Sequence, residues 1–262
     1  MNVSIGPIKF AIVGTQRTGT SLIRTSLSSH PDILCHGEVF KLGKRPYSLV
    51  GGYWEYSRRN LRNRIRSLVR TREFARDYLT QLYADPSHGA IGLKLMLNQC
   101  KLRPYIWSLL TELDVKAVMV RRRNVLKTLV SRRAAEVSGV YHVSGTLPTQ
   151  SAVSTWVAKR IQVNTDTLLG DLGAIEAESA EWLERLKPRV EFIEVVYEDY
   201  VRGVNEGNRK ILEFLGVPQM RLYSDLEKVN PDKLGELVSN YEAVERMLTG
   251  TRFAECLDSQ SR

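Results

Sequence analysis

Residues 8–21 read IKFAIVGTQRTGTS, and their pattern is the strongest indication of the fold class. Its first part, residues 8–13, is a short apolar, β-prone run, which predicts a buried strand that ends at Gly14. A turn rich in glycine and threonine follows, and we call residues 14–21 the glycine loop. Residues 22–27 then show helical periodicity, and the helix is expected to end before Pro31. A strand, a glycine loop and a helix in this order open many nucleotide-binding α/β proteins.

The glycine loop nearly fits the GxxxxGK[ST] pattern of ATP- and GTP-binding proteins. Gly14 and Gly19 have the right spacing and Ser21 occupies the hydroxyl position, but Thr20 stands where the pattern has a lysine. That lysine contacts the β- and γ-phosphates, so an ordinary nucleoside triphosphatase is a poor fit. The positive charge lies inside the loop instead, at Arg17. The loop N–H groups and the helix N-terminus are still suited to one phosphate, with Arg17 placed to clamp a bridging or transferring group. Taken alone, the motif also describes an ordinary turn before a helix.

A second basic segment lies where another predicted strand ends. Residues 115–120 form an apolar run that is followed by three arginines, residues 121–123, and then by a helical pattern over residues 125–137. Cations at this point lie at the carboxyl edge of a parallel sheet, where α/β proteins bind their ligands. Arg123 and Ser131 are eight residues apart. With Arg123 at the strand end and Ser131 on the facing side of the helix, both would reach one phosphate.

The rest of the chain alternates predicted strands and helices. Extended segments are expected at residues 33–40, 90–97 and 190–197, and helices at residues 55–83, 102–113, 151–186 (with a break near 170–173), 209–215 and 234–248. This alternation predicts a three-layer α/β/α fold with a central, mostly parallel sheet. No repeat and no long linker appears, so residues 1–262 are expected to form a single domain.

The composition is that of a globular protein with excess positive charge. Hydrophobic residues make up 43% of the chain, which argues against disorder, and no apolar run reaches the ~20 residues of a bilayer-spanning helix. The chain shows no signal-peptide pattern, and three scattered cysteines, Cys35, Cys100 and Cys256, indicate reduced thiols, so a cytoplasmic protein is expected. The net charge of +9 would attract nucleic acid, an anionic membrane surface, or phosphorylated and sulfated small molecules.

Both anion motifs match those of a known family. The sequence resembles the sulfotransferases that use 3′-phosphoadenosine 5′-phosphosulfate (PAPS), whose fold is similar to that of P-loop NTPases. Their 5′-phosphosulfate loop reads roughly (K/R)-(S/T)-G-(T/S)-(T/S), which residues 17–21 match, and their 3′-phosphate motif resembles Arg123 and Ser131. Residues 30–40, 196–201, 211–217 and 238–242 resemble segments of the bacterial and carbohydrate-type branch. The RKG loop of the cytosolic enzymes is absent, and the usual proline after the arginine of the second motif is replaced.

The resemblance implies a PAPS-dependent enzyme that needs no metal. It would sulfate a hydroxyl group of a carbohydrate, a glycolipid or another small acceptor. The residues implied in donor binding are Arg17, Thr18, Gly19, Thr20, Ser21, Arg123 and Ser131.

Sulfuryl transfer needs a cation at the leaving group and a base for the acceptor hydroxyl. Charge develops on the bridging oxygen, and Arg17 is the best candidate for stabilising it. Glu38 and His36 are both candidates for the base; the resemblance favours Glu38, which otherwise serves as a surface carboxylate or an ion-pair partner of the loop arginines. In an extended strand, His36 would share a face with Glu38. Lys94 lies in an apolar strand, where the resembling family often has a lysine, and is either near the site or snorkelling at the strand end.

The most basic segment lies elsewhere. Residues 58–72 contain seven arginines and no acidic residue, and within them Leu61, Ile65, Leu68 and Val69 share one helical face. The simplest interpretation is a packed helix with a solvated basic face. An anionic polysaccharide, a lipid headgroup surface or nucleic acid are alternative contacts. This segment and the loop at residues 139–149, with Tyr141 and His142, are the places expected to bind the acceptor.

Two other functions compete with a sulfotransferase. A degenerate P-loop kinase or NTPase would need an aspartate for Mg²⁺ at a strand end, and none follows residues 90–97 or 115–120. A nucleic-acid binder would need aromatic or base-reading residues among the arginines, yet no aromatic residue lies between Tyr56 and Phe74. The sequence therefore favours the sulfotransferase.

Overall fold

The computed structural model describes residues 6–41, 52–139, 143–144, 160–227 and 233–257. The strands are β1 (Ile8–Gly14), β2 (Ile33–His36), β3 (Ala90–Met96), β4 (Lys116–Arg121), β5 (Val143–Ser144), β6 (Phe192–Val196) and β7 (Leu226–Glu227). The α-helices are α1 (Thr20–Leu27), α2 (Tyr53–Arg58), α3 (Leu61–Val69), α4 (Thr71–Leu82), α5 (Leu97–Leu102), α6 (Tyr105–Glu112), α7 (Val125–Ser138), α8 (Leu168–Leu186), α9 (Tyr197–Arg202), α10 (Val204–Leu215), α11 (Leu234–Leu237) and α12 (Tyr241–Leu248).

The central sheet is parallel throughout, with the strand order β2-β3-β1-β4-β6. After β1 the chain continues to β2 and β3 on one side of β1, and β4 and β6 follow on the other side. The topological switch point therefore lies between β1 and β4. At such a point α/β proteins bind ligands, beyond the carboxyl ends of their strands. At that edge Gly14 of β1 pairs with Met96 on one side and with Val120 on the other. The glycine loop and the segments after β3 and β4 therefore start beside one another.

Both faces of the sheet are covered by helices, because side chains alternate between the two faces of each strand. Phe10 and Ile12 pack on one face with apolar residues of α1 and α10. Ala11 and Val13 pack on the other face with apolar residues of α4, α6 and the end of α8. The predicted three-layer α/β/α fold with a mostly parallel sheet is thus confirmed.

The chain divides into two compact units. Unit 1 holds the described residues of Met1–Thr15, Gly19–Arg121 and Glu181–Ser224, and unit 2 those of Gln16–Thr18, Arg122–Ala180 and Asp225–Arg262. Unit 1 contains the sheet and both apolar layers on its faces. Unit 2 has its own apolar cluster, built from α7, the first half of α8, α11 and α12. The expectation of a single domain stays a prediction.

Several predicted elements have different bounds. Residues 234–248 form two helices, because Val238 is extended and pairs with Ile161. The same pairing keeps residues 160–167 out of the helix expected there. The predicted break at Gly170 and Gly173 is wrong, since α8 runs through both glycines; burial of its apolar face offsets the ~1 kcal/mol that each glycine costs.

Two predicted helices are interrupted, and two predicted strands are shorter. The helix expected over residues 55–83 is three helices, with Asn60 capping α3 by accepting a hydrogen bond from the N–H of Asn63. Pro104 separates α5 from α6, as expected for a residue that disfavours helix before it. The strands end at His36 and Val196. Residues 151–159 and most of the predicted loop at 139–149, including Tyr141 and His142, lie outside the described residues.

Candidate active site

The glycine loop is a tight turn in which two residues adopt a left-handed conformation. Arg17 has φ 67° and Gly19 has φ 96°, a region that side chains other than glycine enter only at a cost. Gly19 also packs against the ring of Tyr197, so that a Cβ atom there would lie 2.4 Å from Tyr197 Cδ2. Gly19 is the N-cap of α1, whose first turn has no acidic residue and, within the described chain, no side-chain cap. The positive end of α1 is therefore suited to an anion.

Arg17 joins the two motifs that the sequence predicted as anion sites. Its Nε donates a hydrogen bond of 2.9 Å to Oγ of Ser131, which is buried in α7. The loop backbone is held by the same segment. Arg122 Nη1 donates to the carbonyl oxygen of Arg17 at 3.3 Å, and Arg132 Nε donates to that of Gln16 at 3.4 Å. Residues from both motifs thus form one hydrogen-bonded group within unit 2.

Arg123 occupies the strand–helix junction that the sequence assigned to it. It is exposed and directly precedes Asn124, whose side chain caps α7 by accepting a 2.8 Å hydrogen bond from the N–H of Lys127. This cap fixes where α7 begins and hence places Ser131 two turns along the helix. The role of Arg123 at a 3′-phosphate stays a prediction.

A second group of polar residues lies in unit 1, and we call Ser21, Glu38, Lys94 and Gln99 the Lys94 cluster. Lys94 Nζ lies 3.0 Å from Glu38 Oε1 and donates a 2.9 Å hydrogen bond to Ser21 Oγ. Gln99 Nε2 donates a 3.0 Å hydrogen bond to the other carboxylate oxygen, Oε2 of Glu38. The cluster thus connects the glycine loop with the segments that follow β2 and β3.

Burial governs the electrostatics of the Lys94 cluster. Burial lowers the pKa of Lys94, and the neighbouring Glu38 carboxylate partly counteracts this effect. Positive charge at Arg24 and Lys41 lowers it slightly further. A weakly hydrated lysine and a partly exposed carboxylate therefore stand in contact beside the loop, and each depends on the other for compensation.

His36 does not share a strand face with Glu38, because β2 ends at His36. The chain turns there, with the N–H of Val39 donating to the carbonyl oxygen of Gly37 at 3.0 Å. His36 is buried, and its Nε2 has no hydrogen-bond partner among the described residues. Burial lowers the pKa of His36 to about 4. His36 is therefore neutral at pH 7, and it is separated from Glu38 by this turn.

Gln99 is the site residue that the sequence analysis did not identify. Its signal is weak, since it is one of two adjacent polar residues, Asn98 and Gln99, in the otherwise apolar run 95–100 at the end of the strand that carries Lys94. Gln99 is buried, and besides donating to Glu38 its Oε1 accepts a hydrogen bond from the N–H of Met96 at 3.4 Å. Gln99 therefore connects the Glu38 carboxylate with the backbone at the end of β3.

Other features bear on the predicted setting. Cys35, Cys100 and Cys256 are all buried, and none forms a disulfide. In the part of the chain that the structure describes, no helix combines the length and the apolar character needed to cross a bilayer. The same described residues bring no three histidine, cysteine or acidic side chains close enough to hold a metal ion.

No protein-family model and no curated protein matches this chain. Solved structures do resemble it. A sulfotransferase from Alicyclobacillus acidocaldarius is 16% identical with a TM-score of 0.49, and the match covers 94% of this chain and 96% of that one. The sulfotransferase domain of the Synechococcus PCC 7002 olefin synthase is 14% identical with a TM-score of 0.42, over 97% and 82% of the two chains. A sulfotransferase domain from the curacin biosynthetic pathway is 15% identical with a TM-score of 0.42, over 97% and 84%.

These neighbours are all sulfotransferases.

Proposed function

We propose that the protein is a sulfotransferase that moves a sulfuryl group from PAPS to a hydroxyl group of a carbohydrate, glycolipid or other small acceptor. The observation that carries the proposal is the 2.9 Å hydrogen bond from Arg17 to Ser131, residues 114 positions apart in the chain. PAPS has a phosphosulfate at one end and a 3′-phosphate at the other. A protein that binds it needs an anion site for each end, held at a fixed distance, and this hydrogen bond connects two such motifs.

The two ends of the donor would use different residues. The glycine loop would hold the 5′-phosphosulfate through its N–H groups and the positive end of α1, which has no acidic residue in its first turn. Thr18, Thr20 and Ser21 would add hydroxyl donors and Arg17 a positive charge. Arg123 and Ser131 would bind the 3′-phosphate.

In the proposed reaction the acceptor oxygen attacks sulfur, and the bond from sulfur to the bridging oxygen of the donor breaks. The electron pair of that bond stays on the leaving phosphate, and adenosine 3′,5′-bisphosphate is released. The proton of the acceptor hydroxyl passes to Glu38, whose side chain is 22% exposed. Each Glu38 oxygen already contacts one donor, Lys94 at Oε1 and Gln99 at Oε2. A carboxylate oxygen has a second lone pair, which remains for the acceptor hydroxyl.

Lys94 would supply the cation that the glycine loop lacks. Thr20 occupies the lysine position of the GxxxxGK[ST] pattern, and Lys94 Nζ lies 2.9 Å from Oγ of the next residue, Ser21. A positive charge held there by the fold, together with Arg17, would stabilise the charge that develops on the bridging oxygen.

The metal requirement and the cellular location of the protein belong to the same proposal. The reaction needs no metal, because the leaving phosphate is already held by the loop and a sulfuryl group carries less charge than a phosphoryl group. The three buried, reduced cysteines suit a reducing compartment, so we place the protein in the cytoplasm.

Calorimetric titration of the purified protein tests the donor. We expect binding of adenosine 3′,5′-bisphosphate in the absence of metal, and weaker binding after Arg123→Ala. Binding of ATP with Mg²⁺ and none of the bisphosphate would instead identify a degenerate P-loop kinase or NTPase.

Glu38→Gln tests the base. It should leave bisphosphate binding intact and lower sulfuryl release from radiolabelled PAPS, with water, a sugar or a glycolipid as acceptor, by about 10²–10⁴-fold. The matched control is Glu191→Gln, which removes a carboxylate 3.2 Å from Lys116 and should not affect turnover. Full turnover in Glu38→Gln would contradict the assignment, and His36 would be the next candidate.

A further inference from the structure

The apolar side of α3 faces away from the protein. The side chains of Leu61, Ile65, Leu68 and Val69 are 72%, 53%, 75% and 76% exposed, and no residue of α3 is buried. At about 100° per residue these four positions fall within a stripe roughly 100° wide along the helix. We call them the α3 stripe. The prediction that this face is packed is therefore wrong.

The polar side of α3 faces the protein instead. Asn63 Nδ2 donates a 3.1 Å hydrogen bond to the carbonyl oxygen of Tyr56 in α2. Arg66 Nη2 lies 2.6 Å from Asp77 Oδ2 in α4. An ordinary surface helix buries its apolar face and exposes its polar one. The orientation of α3 is the reverse, and these contacts hold it in place.

Positive charge lines both edges of the α3 stripe. Residues 58–72 contain seven arginines and no acidic residue. Viewed along the helix axis, Arg62 lies about 100° from Leu61 in one direction and Arg64 about 60° from it in the other, so each borders one edge of the α3 stripe. Both are exposed, and neither forms an ion pair or a side-chain hydrogen bond with any described residue. Arg70, at the end of the helix, is likewise exposed and unpaired within the described chain.

We propose that α3 docks on the surface of a bilayer that contains anionic lipids. The α3 stripe would enter the boundary between headgroups and acyl chains, while Arg62 and Arg64 reach the lipid phosphates on either side. Charge complementarity selects this occupant, because the apolar side chains are flanked along the helix by arginines that pair with no side chain among the described residues. A second copy of the chain fits poorly, since arginines of the two copies would face each other. The proposal does not depend on the proposed reaction.

The test is flotation of the full chain with lipid vesicles. We expect binding to phosphatidylcholine vesicles that contain roughly one third phosphatidylglycerol, and little binding to phosphatidylcholine alone. Added salt should weaken the binding because it screens the arginines. Failure to bind the anionic vesicles would overturn the proposal.

Two paired variants separate the contributions. Arg62→Gln with Arg64→Gln should weaken binding roughly 30-fold, because each arginine near such a surface contributes a factor of about five. Leu61→Ser with Leu68→Ser should weaken it at least about tenfold. The matched controls should bind like the wild-type chain. They are Leu102→Ser, which changes a side chain 66% exposed on α5, and Arg202→Gln with Arg209→Gln, which removes two arginines paired with acidic neighbours.

Three results would count against the proposal. Equal binding by the α3 variants and the controls would show attraction by net charge alone. A lower melting temperature in the leucine variant would show that the stripe packs inside the protein. A wild-type dimer that this variant converts to a monomer would assign the stripe to a second copy of the chain.

Discussion

In the Lys94 cluster polar groups are buried, whereas in α3 apolar groups are exposed. Lys94 is only 6% exposed and is compensated by Glu38 and Ser21, while Leu68 is 75% exposed on an arginine-rich helix. Both regions belong to unit 1. Each reverses the arrangement that stabilises a globular protein, in which apolar side chains are buried and charges face water.

The two regions show which parts of the chain contribute to its stability and which do not. Burying Lys94 costs hydration energy that its partners only partly return. Exposing the α3 stripe forgoes the ~1.5–3 kcal/mol that burial of each large apolar side chain would contribute. Neither region is explained by stability, since the apolar layers on the sheet supply that. Departures of this kind indicate surfaces kept for a ligand or a partner.

The largest effect is expected from replacing Lys94 of the Lys94 cluster, and the same replacement of Arg62 in α3 serves as the comparison. Lys94→Met should lower sulfuryl transfer by about 10²–10³-fold, because it removes the cation beside the glycine loop. It should also destabilise the fold, because Glu38 is left without its partner. Arg62→Met should leave transfer and melting temperature unchanged.

Two measurements separate the two effects of Lys94→Met. Adding Glu38→Gln removes the uncompensated carboxylate and should restore the melting temperature, although this double variant also lacks the proposed base. Transfer is therefore compared between Lys94→Met alone and the wild-type chain well below the melting temperature of the variant, and equal transfer there would mean that Lys94 acts only through stability.

The next effect concerns the glycine loop, which is tightly packed, whereas α3 has no buried residue. Gly19→Ala should cost about 3 kcal/mol of unfolding free energy, combining left-handed strain with a Cβ atom 2.4 Å from the Tyr197 ring. Gly139→Ala is the control, because Gly139 has φ 70° but no atom within 4 Å of an added Cβ. It should cost only about 1 kcal/mol. Chemical denaturation measures both, and equal costs would show that the Tyr197 contact is not tight.

The smallest effect is a dependence of folding stability on pH that comes from the buried His36. The arginines of α3 should contribute no such dependence, because they are exposed and always charged. The ordinary pKa of 6.5 falls to about 4 in the folded protein, mainly through burial, with Asp85 opposing and His88 adding to the shift. Below pH 6.5 the unfolded chain therefore takes up a proton that the folded chain does not. This contribution lowers stability by about 2–3 kcal/mol between pH 6.5 and 4 and fades above about pH 7. His36→Leu should lose less stability over this range in denaturation curves, and an unchanged slope would contradict the assignment.

Sequence patterns predicted the elements better than their ends. The strand at β1, the glycine loop and the helices after β1 and β4 follow from periodicity and glycine spacing, which are local properties. The break near Gly170 and the single helix over residues 234–248 were wrong. Burial of the apolar face of α8 prevails over the local preference of the glycines. The pairing of Ile161 with Val238 interrupts the helix expected over residues 234–248.

For the candidate site, too, local motifs were predicted from the sequence and long-range contacts were not. Arg17, Ser21, Glu38, Lys94 and Ser131 were identified as residue types in suitable motifs. Their partners were not, because the contacts join residues 56 or more positions apart and depend on the order of strands in the sheet. Gln99 was missed for this reason, since nothing in its local sequence shows that it meets Glu38.

Spacing and periodicity are local properties of the chain, and they were enough to predict an α/β fold, two motifs suited to phosphate groups and an amphipathic, arginine-rich helix. Three further features depend on contacts between residues far apart in sequence and became visible in the folded chain. Arg17 meets Ser131, Lys94 stands between Ser21 and Glu38, and the α3 stripe faces outward. An amphipathic pattern shows that a helix has an apolar side. Which way that side faces depends on the contacts of the other side, and in α3 the polar side chains Asn63 and Arg66 make them.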